Sequence, residues 1–342
     1  VGSEMCIRDR QQNMWEVVPL LGYGIVEQQG TQNPEEDETT CRTLTTEDLI
    51  SEELLLPQPE ETQQTALIPE SVEATAGTAL SNFRPAVQQV QIDRTQLADY
   101  ETLVRNFYAI DANTMAGSDQ LSVEKLLGMD MTLPQEGDGP QILIYHTHSQ
   151  EAFADSVPGD VNTGIVGVGE CLTKILTEQY GYRVLHNTGQ YDVETRDNAY
   201  SRALPAVEQI LAENPSIQVI IDLHRDEVAE ETKLVTDIQG RPTARFMFFN
   251  GLSRTRKTGD IDYLANENQE ANLAFSFQMQ LKAAEYYPGL TRRIYLKGYR
   301  YNMHLRPRTL LVELGAQNNT VEEAINACDP LAHILDMVLK GE

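Results

Sequence analysis

The chain has 342 residues, enough for one sizeable domain with extensions or for two small ones. Its 52 acidic residues outnumber 26 basic ones, giving a net charge of −26. With no cluster of Lys and Arg, binding to nucleic-acid phosphates and a basic membrane-surface patch are both excluded.

Residues 1–10, VGSEMCIRDR, read like the translation of a sequencing adapter and are expected to be an assembly artefact. Residues 11–30 read as the remnant of an N-terminal segment. Their apolar run, Trp15 to Val26, is short and interrupted by Glu16, below the roughly 18 apolar residues of a membrane-spanning helix. Residues 31–95 read as an acidic disordered linker. From Thr31 to Phe83 the only basic residue is Arg42, and pieces such as PEEDETT and SEELLLPQPEET cannot bury much apolar surface.

Residues 96–342 read as one catalytic domain, opening with an entry segment over 96–135. There LADYETLVRNFYAID places Leu97, Tyr100, Leu103, Val104 and Phe107 at helical spacing, and SVEKLLGM is a second amphipathic piece. From Gln141 onward, strands and helices alternate. QILIYHT, YRVLHNT, IQVIIDLH, RFMFFNG and TLLVELG have the apolar content of buried strands. VGVGECLTKILTEQY, AYSRALPAVEQILAEN, NQEANLAFSFQMQLKAAEYY and VEEAINACDPLAHILDMVL read as helices. This alternation predicts an α/β fold, a mostly parallel sheet flanked by helices on both faces. Cys171 and Cys328 fall in two of the helical patterns and read as small buried residues. No Cys-x-x-Cys spacing occurs, so neither a cysteine-built zinc knuckle nor a disulfide scaffold is expected.

Three polar groups occupy comparable places. His146 follows the strand QILIY, His224 ends IQVIIDL, and Glu313 follows TLLV. Ligands of open parallel sheets bind beyond the carboxyl ends of strands, so two imidazoles and a carboxylate are expected at one rim. Zinc takes neutral imidazole nitrogen and carboxylate oxygen, and a catalytic site keeps a fourth position for water. His146, His224 and a carboxylate are therefore the expected ligands, with Zn²⁺ as cofactor. Glu151, in HTHSQEAF, is favoured for the carboxylate, and Glu170, in VGVGE, is the alternative. His148 and Glu151 also form an H-x-x-E spacing of the zinc carboxypeptidase kind. Glu313 is expected to move protons as general acid or base.

The segments YHTHSQEAF, VGVGECLTKILTEQYGYRVLHNT, AYSRALPAVEQILAENPSIQVIIDLHRDEV and LLVELGAQNNT together resemble the stage II sporulation protein P family, over roughly residues 96–340. That family is similar to the zinc N-acetylmuramoyl-L-alanine amidases. The resemblance implies an amidase-like fold and gives Glu313 the catalytic role. In the wider amidases the carboxylate ligand opens the helix after the first strand, favouring Glu170, whereas HTH-x-x-E belongs to the narrower family. It further implies a peptidoglycan hydrolase of engulfment that cleaves the N-acetylmuramoyl-L-alanine amide bond, with an endopeptidase activity on cross-links. The implied setting is a membrane anchor in the mother cell, facing the septal peptidoglycan. The implied partner is the transglycosylase stage II sporulation protein D. A zinc carboxypeptidase-like wall peptidase and a non-catalytic septal scaffold are the competing readings.

Around this core, His148 reads as a supporting rather than a ligating residue. Asp222 and Asp226 flank His224 and could orient its ring or pair with Arg225. Arg306 and Arg308 precede the TLLVE strand and could grip a peptide carboxylate, as against serving as surface charge. Asn250, at another strand end, could orient substrate, as against forming a turn.

Overall fold

The computed structural model describes residues 83–134 and 137–342. The expected artefact, the N-terminal remnant and residues 31–82 of the acidic linker lie outside the described residues.

A seven-stranded sheet organises the domain. Its strands are β1 (Tyr108–Ile110), β2 (Ile142–Tyr145), β3 (Val184–His186), β4 (Val219–Asp226), β7 (Phe246–Gly251), β10 (Ile294–Lys297) and β11 (Thr309–Ala316), in spatial order β1-β10-β7-β11-β4-β2-β3. Every pairing is parallel except one: β11 runs antiparallel to β7. The sheet is thus two parallel blocks facing opposite ways, joined along β11. Two hairpins stand outside it, β5 (Val235–Ile238) with β6 (Arg241–Ala244) and β8 (Arg254–Thr255) with β9 (Gly259–Asp260).

The helices are α1 (Tyr100–Phe107), α2 (Val123–Gly128), α3 (Ile165–Glu178), α4 (Ala199–Glu213), α5 (Gln269–Tyr286) and α6 (Val321–Lys340). The apolar runs become strands because both of their faces are covered: β2 and β11 are buried at every position. One core cluster joins α3, α5 and α6 to one face, and a separate cluster packs α4 against Leu143, Tyr145 and Ile220. The α6 start is fixed by a capping box, in which Thr320 accepts from Glu323 N while the Glu323 side chain accepts from Thr320 N. Pro330 lies inside α6 and Pro205 inside α4, each helix running on past its proline. Among the described residues no helix is long and apolar enough to cross a membrane.

Two local expectations change. YAI, read as the end of a helix, is β1; it pairs with β10 and so binds the entry segment into the sheet. Residues 83–95, read as the end of the linker, form a strap along α5. Gln89 N and Val90 N both donate to Glu285 O, at 2.8 and 3.0 Å. The Phe83 ring stacks on Tyr287 and lies under the Arg241 guanidinium.

Candidate metal centre

β2 ends at Tyr145 and the chain turns through HTHSQE. This turn is tied to β4 by Asp222, whose two oxygens accept from Thr147 N at 2.9 Å and Thr147 Oγ1 at 2.7 Å. The tie brings His148 and Glu151 against His224. The three side chains are buried, and one ligand atom from each lies within 4.8 Å of the others. Glu151 stands between the rings, its Oε1 3.6 Å from His148 Nδ1 and its Oε2 3.6 Å from His224 Nδ1.

This donor set fits a metal ion. Both ring nitrogens of His148 and both of His224 are buried without a hydrogen-bond partner. Each such atom costs about 1–3 kcal/mol unless something satisfies it, and a cation held by two imidazoles and a carboxylate would satisfy one nitrogen of each ring. Asp222 Oδ1 lies 2.8 Å from His224 Nε2, a charge contact without hydrogen-bond alignment. Burial opposes charge on Glu151, yet His224, His148 and Arg196 hold it well below the usual carboxylate range. Burial likewise opposes an imidazolium at His224, but Asp222 and Glu151 outweigh it and raise its pKa well above the ordinary value. Burial lowers that of His148. The two carboxylates, Asp222 and Glu151, thus favour positive charge at the His224 ring.

Glu313 lies in register with His224 across the β11–β4 pair. It is 2 % exposed, and its Oε2 has no hydrogen-bond partner. Burial first, then the Asp226 charge, raises its pKa to about 8, so it holds a proton at neutral pH. Just beyond it the β11–β4 register shifts, where Gly315 takes φ +66°. Asp226 is itself clamped by Arg292, 2.7 Å away and buried with it.

The sequence left Arg196 and Asp192 unmarked. Asp192, in the loop after β3, accepts from Ser149 Oγ at 2.7 Å and Gln150 N at 3.3 Å, between His148 and Glu151. The clasped loop carries Arg196 to Glu151, with Nη2 2.8 Å from Oε1. Arg225 N donates to the other oxygen at 2.8 Å, and its guanidinium holds Ala152 O. Only contacts between distant segments reveal these roles.

The structure groups His148, not His146, with Glu151 and His224. His146 lies beside the cluster with both ring nitrogens engaged, Nδ1 on Leu223 O at 2.7 Å and Nε2 on His186 Nε2 at 2.9 Å. Burial lowers its pKa to about 4. Glu170, the alternative carboxylate, points away to His186 Nδ1 at 3.0 Å, its side chain 72 % exposed. Gly169 is where this side group meets α3: an added Cβ would sit 2.6 Å from His146 Nε2 and 2.8 Å from His186 Nε2. Gly169→Ala is therefore expected to push His146 off Leu223 O and to destabilise the fold by about 1–3 kcal/mol, measurable by denaturant unfolding.

Three further candidates fall outside the centre. Asn250 is 1 % exposed and accepts from Ser276 Oγ; it ends β7, which runs opposite to β11, so its strand end faces the other rim. Arg306 donates to Ile217 O, before the start of β4, and Arg308 to Met131 O and Thr132 O. Both thus lie at the amino ends of the strands whose carboxyl halves carry His224 and Glu313.

The chain resembles the crystal structure of the N-acetylmuramyl-L-alanine amidase Ami1 from Mycobacterium smegmatis, at 13% identity and a TM-score of 0.37, covering 60% of this chain and 100% of that one. The CwlD amidase from Clostridioides difficile, solved in complex with the GerS lipoprotein, is similar at 12% identity and a TM-score of 0.34, over 59% and 95% of the two chains. In sequence, stage II sporulation protein P of Bacillus subtilis (strain 168) is 26% identical over 217 residues, 58% of this chain and 51% of the relative. The chain therefore spans about half the length of that curated relative. The family model of stage II sporulation protein P matches residues 35–336. A match over so much of the chain means that it belongs to the stage II sporulation protein P family.

Proposed function

We propose that this chain is a zinc-dependent peptidoglycan hydrolase of sporulation that cleaves the amide bond between N-acetylmuramic acid and L-alanine. The observation that carries the reading is the buried His148–Glu151–His224 cluster beside the buried Glu313. Membership of the stage II sporulation protein P family supports the substrate class.

In this reading His148, Glu151 and His224 hold the zinc, which when bound supplies a Lewis acid for carbonyl and water. The remaining work falls to the chain. Asp222 holds the His148 turn through Thr147 and faces His224. Arg225 N and Arg196 each hold one oxygen of Glu151 and so limit how the carboxylate can turn. Glu313 delivers a proton to the amide nitrogen that leaves, the group needing protonation when a C–N bond breaks. The membrane anchor, the septal setting and a partnership with stage II sporulation protein D belong to this proposal through the family.

The H-x-x-E spacing of His148 and Glu151 inside the cluster favours a zinc carboxypeptidase-like wall peptidase as a second reading. One experiment separates these. The purified chain is analysed for metal and incubated with sporulation-septum or vegetative peptidoglycan, and the products are identified by mass. About one zinc per chain, with intact stem peptides released from glycan, is expected. Shortened peptides would indicate the peptidase. A chain without zinc, inactive even with zinc added, would leave only a wall-binding role.

A further inference from the structure

Cys171 lies on α3 and Cys328 on α6, the two helices packed together on one face of the sheet. The neighbouring Cys328 thiol lowers the pKa of Cys171, and Cys171 together with burial raises that of Cys328. Cys328 is fully buried, and its Sγ also lies 3.6 Å from Val168 O, one turn before Cys171 on α3. Cys171 is half-buried and so reachable from the surface. Cys171 thus lies nearer the surface than Cys328, which is buried against the same helix.

We propose that Cys171 and Cys328 are a disulfide-forming pair that staples α3 to α6 when the chain meets a disulfide donor. The chemistry needs only that donor, a small-molecule or protein disulfide. The Cys171 thiolate displaces one half of the donor, forming a mixed disulfide and one thiol. The Cys328 sulfur then attacks the Cys171 sulfur and releases the second half. Both cysteine protons end on the two donor thiols, and the donor takes up the two electrons that the cysteines lose.

The staple joins two parts of the candidate centre. α3 follows the turn that carries Glu151, and Ile165 N at its start donates to Glu151 O at 3.0 Å. α6 follows β11, which carries Glu313. The bridge closes a long stretch of chain, from 171 to 328, so it restricts the unfolded state strongly. A wall-facing location, as in the proposed function, would supply the oxidising surroundings in which such a bridge persists.

The test reads mass and unfolding, so it stands apart from whether the chain hydrolyses anything. The intact protein is incubated with oxidised glutathione, digested without reduction and mapped by mass spectrometry. A cross-linked peptide joining Cys171 to Cys328 is expected. So is an unfolding midpoint raised by about 5–10 °C and returned to its starting value by dithiothreitol. Cys328→Ser should stop at glutathione on Cys171, and Cys171→Ser should show neither adduct nor shift. Glutathione remaining on Cys171 in the unaltered chain would overturn the proposal. So would two thiols that both stay open to alkylation after unfolding, or bridges made to Cys6 or Cys41 instead.

Discussion

Glu313→Gln is expected to keep the metal and lose about 10²–10⁴-fold in turnover, the usual worth of a positioned acid or base. Glutamine fills the same volume but has no proton to give at Oε2. The side chain is not one of the three clustered residues, so metal bound per chain should stay at the parent value. A second readout does not depend on activity. Burial and Asp226 raise the Glu313 pKa from 4.5 to about 8, so ionising this group weakens the folded state. A raised folded pKa means that the parent chain loses stability as pH climbs from about 4.5 to about 8. The Gln variant lacks that loss, so its stability relative to the parent should rise across this window and level off above it. Denaturant unfolding of both proteins at several pH values measures the difference. A Gln variant that turns over normally, or that loses its metal, would remove Glu313 from the role given to it.

The second large effect separates two histidines that stand two residues apart. His148→Ala should lose the metal and with it essentially all hydrolysis, since only two of the three clustered side chains would remain. His146→Ala should still bind metal, with an affinity lowered about 10–100-fold, the range seen when a group supporting a metal site is removed. His146 ties the end of β2 to Leu223, directly before His224, so its loss loosens the frame and leaves the donors in place. Metal titration against a competing chelator, with both variants checked for folding by circular dichroism, gives the answer. A metal-free His146→Ala beside a metal-loaded His148→Ala would reverse the assignment.

The reason for this pair shows how far the sequence could be read. ILIY, VIIDL and LLV are continuous apolar runs, and each became a strand buried on both faces. The polar residues that follow them were therefore legible as a rim. Past Tyr145, however, the sheet no longer sets which way a side chain points, because the chain is already in a turn. Direction there comes from Asp222 holding Thr147 and from Leu223 holding His146, contacts made across some 75 residues. Asn250 was misplaced for a different reason. An apolar run such as FMFF carries no information about the direction of its strand, and β7 enters antiparallel to β11. β1 and β10, three and four residues long, offered too little pattern to be read as strands. Arg196 had no sequence signal, since its loop is shaped by Asp192 reaching back to Ser149.

The reversal in the sheet also orders events during synthesis. Among the described residues β11 pairs with β4 in one parallel block and with β7 in the other, and it is the last sheet strand in the sequence. A ribosome therefore releases β1, β10 and β7, and β2, β3 and β4, as two pieces with no shared edge. The strand that zips them together is the one that brings Glu313 beside His224. A growing chain thus keeps the candidate ligands His148, Glu151 and His224 apart from Glu313 until it is nearly complete. Closing the sheet and assembling the centre are, for this topology, a single late event.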